Sequence, residues 1–214
     1  MEAQIFARDP IALRRELGRR FDEAVTYAAR VHAGELRAGT EEPYIEHLLR
    51  VAGLVIDDGG SEEEAIAALL HDAPEHRGGR ARLWDIRRRF GPRVATIVDA
   101  LTDTYEHPAP PWRARKERYL EHLADSPAAL RVSLADKLDN VRSLARDYQT
   151  QGEKLWPRSG KAREDVRWYY RTLAERFSGL RPGRLADELS RAVWGLERLI
   201  DGARVAPASR SRSG

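Results

Sequence analysis

The pair His71-Asp72 closes the uncharged run AIAALL, with a lone His47 upstream and a lone Asp136 downstream, each inside its own amphipathic segment. Four such side chains could hold one divalent metal ion. Imidazoles mixed with carboxylates suit a borderline-to-hard ion such as Mn²⁺, Fe²⁺ or Zn²⁺, and an open coordination position would make water a nucleophile near neutral pH. A metal-dependent hydrolase is the chemistry to test. Neighbours on a helix point about 100° apart, so His71 and Asp72 can flank one ion. Glu75 falls on the same side if helical geometry persists past Pro74, where a carboxylate could orient or deprotonate water.

Taken singly, these residues say less. His47 alone reads as a helix histidine hydrogen-bonded near the surface, and Asp136 alone as the ion-pair partner of Lys137 or Arg142. His71 differs, because the apolar run before it implies burial, although Asp72 could orient it without any metal. Asn140 lies four residues after Asp136 on the same face, making a polar spot away from the stripe Leu134, Leu138, Val141, and such a spot needs partners.

The elements that position these residues read as helices. Apolar positions recur at helical spacing over Phe21 to His32, and Pro43 suits the first residue of a helix with the stripe Ile45, Leu48, Leu49, Ala52, Val55, Ile56, stopped by Gly59-Gly60. Ser61 and Glu64 form a capping box for the helix that delivers Ala65 to Asp72, and Pro74 should end or kink it. Further helices are expected at about Leu83 to Phe90, Arg93 to Leu101 and Trp112 to Leu123. A long one after Ser126-Pro127 carries Leu130, Leu134, Leu138, Val141 and Ala145; two more fit Ala162 to Phe177 and Arg184 to Ile200, after a loop around Gly152 to Gly160. The fold class is therefore all-α.

With 214 residues, 42% hydrophobic and 33% charged, the chain fits one soluble domain over 1–202 with a short, basic, disordered tail at 203–214. No apolar stretch reaches the roughly 20 residues a membrane helix needs. Absence of cysteine excludes disulfides, thiolate metal sites and a cysteine nucleophile, and makes a cytoplasmic location the default. Only four of the 37 cations are Lys, at 116, 137, 154 and 161. Arg forms two-pronged bonds to phosphate, but composition bias with ion pairing along solvated helix faces explains its abundance more simply.

The segments PYIEHLLRVA, AALLHDAPEH and LADKLDN, in that order and separation, resemble the HD-domain hydrolases, and within them the alarmone-hydrolase branch of RelA/SpoT-type hydrolase domains and the small stand-alone Mesh1-like hydrolases. The likeness runs from about Phe21 to Phe177, with Phe90-Gly91 and Leu101 to Asp103 in register. It implies an HD-domain helical bundle binding one Mn²⁺ through His47, His71, Asp72 and Asp136, and removal of the 3′-pyrophosphate from guanosine tetra- or pentaphosphate to leave GDP or GTP. By the same resemblance Glu75 matches the glutamate of a catalytic Glu-Asp pair. Arg37 matches a basic loop residue near the substrate, Asn140 a nucleotide-contacting asparagine, and Arg115 and Lys116 phosphate-binding cations; Lys161 and Tyr170 fall in the substrate wall. One departure stands out: His76 occupies the position of the pair's Asp, and Pro74 that of an apolar residue.

Imidazole can donate, accept or ligate, with an ordinary pKa of about 6.5, so His76 could take over proton transfer, alter substrate preference or mark lost activity. The resemblance therefore leaves three readings of the site: a guanosine-alarmone hydrolase, a phosphohydrolase of an adenosine alarmone, NADPH or another nucleotide, and a catalytically weak alarmone binder. The expected partner is a small nucleotide, with no membrane and no nucleic acid, since no basic stripe interleaved with stacking aromatics is present.

Overall fold

A computed structural model describes residues 17–106 and 108–205. Among them the architecture is all-α, with a lone bridge between Leu36 and Pro43 as the only extended pairing. The Cα arrangement groups into two compact units, with the boundary between Asp136 and Lys137.

The first unit contains α1 (Arg19–Val31), α2 (Tyr44–Asp57), α3 (Glu62–Leu70), α4 (Ala73–His76), α5 (Gly79–Phe90), α6 (Pro92–Leu101), α7 (Trp112–His122) and the first turns of α8 (Leu130–Gln151). Helix α3 is its centre, packed by α1, α2, α5 and α6. The cause is composition: Ala65 through Leu70 are buried all round the helix, and a helix apolar on every face must be enclosed. Removing Ile66, Leu69 and Leu70 from water contributes about 1.5–3 kcal/mol each. The capping box starts it as expected, with the Ser61 hydroxyl accepting from the Glu64 N–H and the Glu64 carboxylate accepting from the Ser61 N–H. Just before it, Gly60 donates to the Val55 carbonyl so closely that a Cβ would lie 2.5 Å from Val55 Cγ1, which only glycine tolerates.

Pro74 acts as predicted. Helix α3 ends at Leu70, His71 and Asp72 keep right-handed backbone angles, and α4 restarts with Pro74 in its first turn, where the missing N–H costs nothing. Two expectations for α2 need correction: Pro43 precedes the helix with ψ 133°, and Leu49 is exposed while His47 and Val51 take the buried face. Helix α5 begins four residues earlier than expected, after Gly78 at φ 96°. Pro127 opens a short 3₁₀ turn, and α8 starts only at Leu130. Near the start of α8, Arg131 reaches Glu64 at 2.6 Å and Asp58 at 3.1 Å, bracing it against the turn between α2 and α3.

The second unit holds the remainder of α8, the short α9 (Leu155–Ser159), α10 (Arg163–Leu180) and α11 (Arg184–Val205). Val166, Tyr169, Leu173 and Phe177 on α10 meet the α11 stripe Leu185, Leu189, Val193, Leu196 and Ile200. Arg167–Asp201 and Arg171–Glu197 pairs flank this antiparallel hairpin. Ala145, expected in the α8 stripe, is only half-buried. The loop expected over Gly152 to Gly160 contains α9, and the tail expected from 203 starts inside α11, its residues 206–214 lying outside the described ones.

Candidate metal centre

His47 on α2, His71 after α3 and Asp136 on α8 are buried, and a ligand atom of each lies within 4.8 Å of the others. Asp136 Oδ1 stands 3.4 Å from His47 Nε2 and 3.6 Å from His71 Nε2. Asp72 Oδ2 is 3.2 Å from His71 Nε2 and 3.7 Å from His47 Nε2. Asp136 is therefore not a surface partner of Lys137 or Arg142, and His47 is not a surface histidine. The distances suit a shared cation.

The donor chemistry fits one as well. His71 Nδ1 donates to the Ala68 carbonyl at 2.8 Å, which fixes the tautomer and leaves Nε2 as a lone pair aimed at the carboxylates. That buried Nε2 has no hydrogen-bond partner among the described residues. Without an ion, burial would lower the His71 pKa, but the Asp72 and Asp136 carboxylates outweigh burial and hold it well above its usual value. Asp72 is depressed in turn, His71 overcoming the opposing effect of burial. A proton on Nε2 would thus compete with a divalent ion there, and binding of the ion would release it.

Tyr44, unmarked as functional in the sequence, donates its hydroxyl to Asp72 Oδ2 at 2.5 Å. It lies one turn before His47, so the shared helix face was the signal that could have found it. Burial, then the Asp72 charge, raise its pKa far above the ordinary phenol, so it is a firm donor. Tyr44→Phe keeps the ring and removes only this hydrogen bond. Chelator competition should show metal held about 10–100-fold less tightly with helical content unchanged; equal affinity would mean that Asp72 needs no such support.

Glu75 and His76, consecutive in α4, face different groups. The Glu75 carboxylate accepts the Asp103 N–H at 3.3 Å and lies 3.6 Å from Arg115. Burial first, then the Asp72 and Asp103 charges, raise its pKa. Asp103 was missed by sequence reasoning except as a register mark, yet it clamps both Arg115 and Lys116, the latter at 2.8 Å. These two cations are therefore held beside Glu75 by a carboxylate. A cavity of about 260 Å³ adjoins Asp103, walled by Thr102, Tyr119, Leu123, Leu130 and Ser133. His76 turns instead to Glu35 and Tyr44. Arg37 places its guanidinium 5.8 Å from the centre of the Tyr44 ring. In the second unit Asn140 is half-buried on α8, Lys161 exposed ahead of α10, and Tyr170 half-buried on α10.

The HD domain family matches residues 24–176. The guanosine-3′,5′-bis(diphosphate) 3′-pyrophosphohydrolase MESH1 of Xenopus tropicalis is 34% identical over 163 residues, which cover 74% of this chain and 83% of that protein. A guanosine-3′,5′-bis(diphosphate) 3′-pyrophosphohydrolase of Aquifex aeolicus is 37% identical over 122 residues, 56% of this chain but only 17% of that longer protein. Among solved structures, a metazoan ortholog of SpoT that hydrolyzes ppGpp superimposes with a TM-score of 0.57 at 27% identity, covering 86% of this chain and 93% of that one.

Proposed function

The chain belongs to the HD domain family, and from that premise we propose that it removes the 3′-pyrophosphate from ppGpp and pppGpp, leaving GDP and GTP. The observation carrying this reading is the buried convergence of His47, His71 and Asp136, with Asp72 alongside, in a chain similar to ppGpp 3′-pyrophosphohydrolases over most of its length. The HD family and this donor set support a divalent ion, and Mn²⁺ is the one we propose, since two imidazoles with two carboxylates match a borderline-to-hard dication. Bound there, it would supply Lewis acidity and activate water near neutral pH.

The residues of the chain divide the remaining work. Glu75 takes the proton of the attacking water and returns one to the departing ribose 3′-oxygen; burial, the largest cause raising its pKa, suits both directions. Arg115 and Lys116, preorganised by Asp103, face phosphate charge without having to be ordered first. The cavity flanking Asp103 gives room for a nucleoside. Arg37 is proposed as a further phosphate contact, while the resemblance alone supports Asn140, Lys161 and Tyr170 as nucleotide contacts. An intracellular nucleotide substrate agrees with the cysteine-free composition.

A nucleotide panel tests the assignment. With Mn²⁺ present, kcat/KM should be highest for ppGpp and pppGpp, and lower for the adenosine counterparts and for NADPH. Preference for either of the latter would overturn the guanosine assignment while leaving a phosphohydrolase.

A further inference from the structure

Outside the centre just described, His32, Glu35 and His76 each offer a ligand atom, and these lie within 4.8 Å of one another. Glu35 stands between the imidazoles, with Oε2 2.8 Å from His32 Nδ1 and Oε1 in short contact with His76 Nδ1. The backbone holds this carboxylate in place: the Glu35 N–H donates to the His32 carbonyl at 3.1 Å, and its own carbonyl accepts the Tyr44 N–H at 2.9 Å. The Tyr44 ring stacks on His32 with centroids 5.0 Å apart and leans on His76 at 4.6 Å. Ring contacts with Tyr44 thus orient both imidazoles in addition to their hydrogen bonds to Glu35.

Hydrogen-bond directions place positive charge in this cluster. Tyr44 has one hydroxyl proton and gives it to the Asp72 carboxylate, which can only accept. His76 Nε2, 3.3 Å from the same phenolic oxygen, is therefore the donor of that pair. With its proton on Nε2, the neutral ring turns a lone pair at Nδ1 toward the Glu35 carboxylate, and these two acceptors repel unless a cation lies between them. A second proton on His76 would serve. A metal ion would serve too, with Glu35 and His76 drawing apart to the wider spacing that two ligands of one ion take, and would in addition gain His32 as a third ligand.

We propose that His32, Glu35 and His76 form a second divalent-metal site, for a transition-metal ion of the zinc kind, joined to the first centre through Tyr44. Two imidazole nitrogens and one carboxylate oxygen are a zinc-type donor set with room for a further ligand. The Nε2–H of His76 pointing at Tyr44 is the outward hydrogen bond that metal-bound imidazoles make. His32 sets the strength. Its buried Nε2 has no hydrogen-bond partner among the described residues, so moving its proton there as the ion takes Nδ1 is costly. The second ion accordingly binds about tenfold or more weakly than the first.

Equilibrium dialysis of the full chain against Zn²⁺, read by elemental analysis, tests the site without any nucleotide, so its failure is separate from failure of the proposed activity. Two ions per chain, loading in two steps, are expected for the native sequence. One ion is expected for Glu35→Gln and for His76→Gln, with far-ultraviolet circular dichroism unchanged. His76 is 29% exposed in its side chain, so its substitution leaves the core intact even if that of Glu35 does not. A native stoichiometry of one at saturation, which would leave an imidazolium–carboxylate pair in the site, overturns the proposal. Two ions retained by His76→Gln overturns it equally.

Discussion

Asp136→Asn is expected to strip the protein of its tightly held ion and to lower kcat/KM by about 10³-fold or more. Asp136 is the carboxylate that both imidazoles share, 3.4 Å from His47 Nε2 and 3.6 Å from His71 Nε2. An amide of the same shape brings a neutral oxygen of weaker ligand strength and an NH₂ group that can donate to the very lone pairs the metal requires. Lewis-acid stabilisation of phosphoryl charge amounts to several kcal/mol, and about 4 kcal/mol corresponds to three decades in rate. The fold should survive, because Asn fills the same volume and Arg131 still ties α8 to Glu64 and Asp58. Metal analysis after dialysis, with a thermal melt, separates lost metal from lost structure. Full metal content at the native rate would remove Asp136 from the ligand set.

The second large effect concerns Glu75. Glu75→Gln should lower kcat by about 10²–10⁴-fold, the usual contribution of a positioned acid–base group, while metal content stays at the native level. Gln can still accept the Asp103 N–H, so the arrangement around Arg115 is preserved. Stability should move the other way. Burial and the neighbouring Asp72 and Asp103 charges raise the Glu75 pKa above its unfolded value, so in metal-free protein the ionised carboxylate is less favourable in the native state than in the unfolded one. That loss is absent below the ordinary glutamate range and is complete once pH passes the raised native value. The metal-free Gln variant should therefore melt at the same temperature as the native protein in acid and slightly higher at neutral pH. A variant with near-native kcat would show that proton transfer lies elsewhere, and one with reduced metal content would make Glu75 a support of the centre.

What the sequence disclosed and what it hid follow from how each residue is placed. His47 and Asp136 sit in helices whose apolar pattern is written locally, His71 directly follows one, and Asp72 adjoins it, so their chemistry could be read as a set. The resemblance of three short segments then supplied family and fold, and the match over residues 24–176 bears this out. Glu35 and Asp103 stand in loops, and nothing local says that Glu35 meets His76 or that Asp103 gathers Arg115 and Lys116. Only tertiary packing brings them there.

The fold shows the same division. The all-α class and the capping box at Ser61 were legible because they depend on a few neighbouring residues. The start of α5 was not, since RGGRAR is polar and glycine-rich and its helix is anchored by Ile86 and Phe90 further along. Helix α9 was hidden by Gly152, Pro157 and Gly160, although a proline in a first turn is compatible with a helix. Trp84 and Trp194 are exposed, Trp84 against Arg88 and Trp194 against Arg198, where a cation over the ring compensates in part.

The most direct test of the account is ³¹P nuclear magnetic resonance of ppGpp incubated with the Mn²⁺-loaded full chain. Loss of the 3′-diphosphate signals with equal growth of GDP and inorganic pyrophosphate is expected, and no reaction once the metal is removed by chelation. Release of orthophosphate instead, or ppGpp left intact by the fully metal-loaded protein, would contradict it.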